Sequence, residues 1–155
     1  MAIDHDAPFQ ALFDRLVAKL TGLAYTSRRH VPASGLSREQ KPALLVLAMD
    51  QGPIRRPGGP VAWRFLAAVI VYVRMPDTTS SPDTVLNGFL GQVETALERQ
   101  DSESSSDRYV TTLGGVCQGG AYVVAEPDAV LMVQGTGGWE AEIEVHVEMV
   151  AYERD

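Results

Sequence analysis

Residues 139–152 constrain the fold more than any other stretch. Trp139, Ala141, Ile143, Val145, Val147, Met149 and Ala151 alternate with Glu140, Glu142, Glu144, His146, Glu148, Val150 and Tyr152. Side chains alternate across a strand with a period of two. A strict apolar/polar alternation of this length is therefore an amphipathic strand, with one face on a core and the other facing away from it. It excludes an all-helical fold and requires neighbouring strands.

Those neighbours are legible upstream. Pro42 to Met49 is a continuous apolar run and reads as a buried strand. Val61 to Arg74 reads as a long strand. Trp63, Phe65, Ala67, Val69, Val71 and Val73 share one face, and Leu66, Ala68, Ile70 and Tyr72 the other. Both faces are apolar in its middle, so that part is expected to be covered on both sides. Between the two, Asp50 to Pro60 holds six Gly and Pro residues and carries Arg55 and Arg56. It reads as the long basic tip of a β-hairpin. A further strand is expected at Ala121–Glu126 and a separate short one at Val130–Gln134, after glycines that break the pattern.

Two segments carry the helical period. Phe9, Leu12, Phe13, Leu16, Val17 and Leu20 fall on one face of a helix from Pro8 to about Thr21, with Gly22 as its stop. Val85, Leu86, Phe89, Leu90, Val93, Ala96 and Leu97 do the same to about Arg99. Ser81-Pro82-Asp83 reads there as the N-cap and first turn. Thr26 to Lys41, Pro76 to Ser81 and Gln100 to Asp107 read as irregular or turn segments. The 155 residues are 45% hydrophobic and 21% charged, the range of one globular domain. The expected fold is α+β: a single domain, residues 1–155, with a mixed or antiparallel sheet and two helices packed on one face.

The search for chemistry returns little. Net charge is −7, which disfavours a general nucleic-acid binder. One cysteine, Cys117, excludes an internal disulfide framework and a multi-cysteine zinc site, and reads as structural. His5, His30 and His146 lack helical metal spacings. His146 and Glu148 share a strand face, and the glutamate row is flat and divergent, so both read as solvated surface. Gly135-Thr-Gly137-Gly138 precedes a strand, so it is a turn and not a phosphate loop. No apolar run approaches a membrane span, and the first residues lack the pattern of a signal peptide. No catalytic, cofactor or metal residues are assigned, and an enzyme or small-ligand module lined by Trp63, Tyr72, Tyr109 and Trp139 is a lesser alternative.

Charge is unevenly laid out. In residues 28–64, Arg28, Arg29, Arg38, Lys41, Arg55, Arg56 and Arg64 stand against Glu39 and Asp50, a balance of +5. In residues 139–155, Glu140, Glu142, Glu144, Glu148, Glu153 and Asp155 stand against Arg154, a balance of −5. Two solvated surfaces are one reading. Head-to-tail self-association, basic region against acidic strand, is the other, and a heterologous contact that closes makes a ring.

The order of several stretches resembles the tail terminator proteins of long-tailed bacteriophages, often described as phage minor tail proteins. The stretches are Phe9-Gln-Ala-Leu-Phe-Asp-Arg-Leu16, Ser27-Arg-Arg29, Lys41-Pro-Ala-Leu-Leu45, Gly59-Pro60 with Trp63, and Tyr72-Val-Arg74. Ser81-Pro82 with Leu86-Asn87, Ala96-Leu97 and Thr112-Leu-Gly-Gly-Val116 follow. They span roughly residues 8 to 150 and are framework positions, not a catalytic signature. The last strand is more acidic than the family pattern, and the turn before it lacks the usual acidic–glycine arrangement.

The resemblance implies a non-enzymatic virion protein of the neck, made in the host cytoplasm. It implies a ring of six copies on the head-proximal end of the tail tube. Such a ring ends tube polymerisation and offers the surface that joins the head. Its partners would be the major tail tube protein and a head-completion or connector protein, with DNA passing only transiently. Arg28, Arg29, Arg55, Arg56, Arg64, Glu140, Glu142, Glu144 and Glu148 are the candidate subunit or tube contacts. A head-closure or tail-completion factor, or an assembly chaperone, are the alternatives within phage assembly.

Overall fold

A computed structural model describes residues 3–55, 58–59, 61–75, 82–100, 110–133 and 139–153. Helix α1 (Ala7–Lys19) opens with Pro8 in its first turn, where the missing N–H costs nothing. The Asp4 carboxylate accepts from the N–H groups of Asp6 and Ala7. Phe9, Leu12, Leu16 and Leu20 are buried. Val17, expected on the same face, is instead exposed: it falls at the edge of the apolar stripe, where sheet contact ends. Helix α2 (Pro82–Ala96) buries Leu86, Phe89, Val93 and Ala96.

The sheet has strands β1 (Tyr25–Ser27), β2 (Ala43–Ile54), β3 (Ala62–Met75), β4 (Gly120–Val133) and β5 (Trp139–Tyr152), in the order β1-β2-β3-β5-β4. The β1–β2 pair is parallel and the others are antiparallel. The fold is a single α+β domain with a mixed sheet, as the periodicities require. Both helices pack on the face built by Phe65, Val69, Val71, Ile143, Val145 and Val147, and this is the main core.

Three expectations are corrected. First, β2 does not stop at Met49. It runs to Ile54, with Pro53 opposite Trp63 and Ile54 opposite Ala62, after a register shift between Ala48 and Asp50. Only Ala43–Leu45 of β2 pair with β1, so the strand is an edge beyond Leu45, where a proline and a bulge are tolerated. Second, the two short strands near residues 121 and 130 are one strand, β4. Register shifts between Val123 and Asp128 absorb the interruption around Pro127. Third, residues 26–41 are not wholly irregular. They contain β1 and two 3₁₀ turns, Ala33–Gly35 and Arg38–Gln40, each too short to show a period.

That segment explains the two-sided burial of β3. Leu36, with Val31 and Ala33 beside it, packs on Ala43, Leu45, Ile70 and Tyr72, so residues 31–41 form a strap over half of the face opposite the helices. The other half of that face, on β3, β5 and β4, carries the polar residues of β5.

Candidate interaction surface

Tertiary structure divides the nine candidate contact residues. Arg28 is a framework group: its Nη1 donates to Asp6 Oδ1 at 2.9 Å and Gln10 Oε1 at 3.2 Å, and its guanidinium lies 5.8 Å from the Phe9 ring centre. It ties the end of β1 to the start of α1. Arg29 and Arg55 are exposed. Arg56 lies outside the described residues, as does Ser81.

The acidic row of β5 is not uniform. Glu140 is buried and accepts from Lys41 Nζ at 2.6 Å, the two side chains being 8% and 3% exposed. This pair clamps the end of the strap to β5. Glu148 accepts from Arg64 Nε through one oxygen and from the Tyr122 hydroxyl through the other. Burial works to raise its carboxyl, but the two hydrogen bonds and the Arg64 charge outweigh it and hold Glu148 below the ordinary carboxylate value. The Tyr122 hydroxyl is pushed up to about 12 by burial and by the Glu148 carboxylate it donates to. Glu144 is exposed and bonds His146 Nε2 at 2.8 Å. Glu142 is half-buried in register with Tyr72. Burial, then the charges of Glu142 and Glu144, raise the Tyr72 hydroxyl.

Two pairs drawn from the opposite charge regions, Arg64–Glu148 and Lys41–Glu140, are thus satisfied within one chain. That removes them from the simplest head-to-tail scheme and leaves Glu142 and Glu144 against Arg29 and Arg55. Lys41, hidden in the sequence among other basic residues, acts through its partner on β5. A strand whose alternate positions are glutamates, with a lysine directly before the apolar run that opens at Pro42, was the available signal. His146 and Glu148 do not converge on one point: each is held by a different neighbour, Glu144 and Arg64. Among the described residues no group of three His, Cys, Asp or Glu side chains could hold a metal ion.

The end of this face nearest the β2–β3 hairpin tip is hollowed into a groove of about 500 Å³. Ile54, Ala62, Val150 and Tyr152 supply apolar lining, and Arg64, Glu148 and Tyr122 form a polar wall. Cys117 is fully buried, and burial pushes its thiol up to about 12, which makes it a core group and not a nucleophile. No helix among the described residues is long and apolar enough to cross a membrane. No known family model and no curated protein matches this chain.

Proposed function

We propose that this chain is a structural virion protein, a tail terminator that forms a ring on the head-proximal end of a phage tail tube. The ring stops tube growth and presents the head-joining surface. The framework resemblance over residues 8–150 is the origin of this reading, and the α+β fold with helices on one face agrees with what that resemblance implies. The observation that carries it furthest is the asymmetry of the sheet. One lateral end is basic and exposed at Arg29, beside β1, while the helix-free face toward the other end keeps the acidic side chains Glu142 and Glu144. Unlike surfaces at opposite ends of a subunit favour heterologous contacts, which make a ring where the rotation between subunits closes.

An acidic lumen also suits DNA passage, because phosphates that find no cations are not retained. Glu142 and Glu144 face either that lumen or a basic neighbour. The test is electron microscopy of lysates from a phage or prophage with this reading frame deleted. Overlong or unattached tails beside DNA-filled heads are the expected result. Leaking heads with tails of normal length would assign the protein to head closure instead, and normal virions would end the structural reading.

A further inference from the structure

The strap of residues 31–41 is held to the sheet by side chains and not by backbone. Its backbone–backbone bonds run from Gly35 N–H to Pro32 O, from Leu36 N–H to Ala33 O and from Gln40 N–H to Ser37 O, all within the strap. The Gln40 side chain is also spent locally, accepting from the Ser37 N–H at 2.8 Å. Among the described residues no backbone group of the strap bonds to the sheet or to a helix. The chain on either side is anchored. Ser27 pairs with Leu45 in the β1–β2 ladder, and the Ala24 N–H donates to Pro42 O at 2.8 Å.

Two contacts keep the strap down. One is apolar: buried Leu36, with half-buried Val31 and Ala33, lies on Ala43, Leu45, Ile70 and Tyr72. This cluster is separate from the core under the helices, so lifting the strap leaves that core intact. The other is the Lys41–Glu140 pair. A buried ion pair adds little over the same two charges in water, because desolvation offsets the attraction, yet it penalises the loss of either partner heavily. Units with few buried apolar contacts open locally at a free energy below that of global unfolding.

We propose that residues 31–41 open as one unit without global unfolding, with Lys41–Glu140 as the latch, and that opening uncovers a second apolar surface on the sheet. That surface is Ala43, Leu45, Ile70 and Tyr72, and Glu144 and Glu142 stand beside it in register with Ile70 and Tyr72. The closed strap withholds it from other molecules. The open strap joins it to the polar half of the same face. Such an opening is independent of how copies of the chain assemble.

The experiment is thiol labelling of the purified full chain carrying Ile70→Cys. Labelled sites are read by mass spectrometry, and rates are taken over a urea series below the unfolding transition. Position 70 should react through an opening whose urea dependence is well below the m-value of global unfolding, because that slope follows the surface exposed. Cys117, fully buried in the main core, should stay protected under the same conditions. In this background Lys41→Met should raise the labelling rate at position 70 by about a hundredfold or more, the penalty of a buried carboxylate left unpaired. Adding Glu140→Leu should return the rate to the parent value or below. Thermal melts show which variants are folded, and Ala43→Cys gives a second probe beneath the strap where Ile70→Cys lowers the melt.

Labelling at position 70 with the full urea dependence of global unfolding, in step with Cys117, overturns the proposal, since the strap then leaves only with the whole domain. A folded Lys41→Met variant that labels at the parent rate overturns the latch.

Discussion

Lys41 and Glu140 illustrate how a single pair can organise a surface. Both are almost fully buried, so each carries a desolvation cost that only the other offsets. Lys41→Met leaves an uncompensated buried carboxylate and should lower unfolding free energy by about 3–5 kcal/mol in urea denaturation, whereas Lys41→Met with Glu140→Leu should recover most of that loss. Glu148 sets a pH dependence. Its carboxyl is held below the ordinary value, so its stabilisation is present above the usual carboxylate range and is lost as pH falls through the depressed value. Glu148→Gln should therefore melt lower than the parent at neutral pH. Its melting temperature should also fall less on acidification, a difference that thermal scans at stepped pH would read.

At the scale of elements, β5 is the organising strand: β3 covers one edge and β4 the other, over nearly its whole length. The entry to β4 is tight. The Gly119 N–H donates to Val150 O at 2.9 Å, and a Cβ at Gly119 would lie 2.6 Å from Val150 Cγ1 and 3.2 Å from its carbonyl oxygen. Gly119→Ala should cost about 1–3 kcal/mol, the range of an overpacked site, measured by chemical denaturation. Another junction is held by Arg15. From α1 its Nη1 donates to Ala96 O and Thr111 Oγ1, joining both helices to the segment that bridges Ala121 at the start of β4. The boundaries that periodicity missed are all edge features. β1 has three residues, and the second half of β2 hides behind Gly52 and Pro53, residues that signal a loop in the chain but are tolerated on an edge strand.

For the whole molecule, the sheet has two unlike faces. One is a continuous apolar core under both helices, and the other is half strap and half open polar surface. Glu142 and Glu144 face away from the main core, Glu142 half-buried beside Tyr72 and Glu144 exposed. Glu142→Lys with Glu144→Lys should thus leave the melting temperature within about 2–4 °C of the parent, the shift expected of small surface effects. On the ring reading proposed above, the same variant should reduce phage titre by impairing ring assembly or DNA passage. A wild-type titre from stably folded variant protein would remove these residues from the functional surface.

The fold class, the two helices, the central strand and its core face were legible from residue order alone. Hydrophobic periodicity is a local property, and 139–152, 85–97 and 9–20 each declare their buried side without reference to the rest of the chain. The charge layout was legible only as a contrast between regions. Partners in Lys41–Glu140 and Arg64–Glu148 lie about a hundred and over eighty positions apart; the strap brings the first pair together and the antiparallel β3–β5 register the second. The same holds for the groove, whose walls come from β2, β3, β4 and β5, and for the uncovered β2 edge that exposes Met49. Side-chain alternation determined which residues of β5 leave the core; strand order determined which of those are satisfied by side chains of distant segments and which stay exposed.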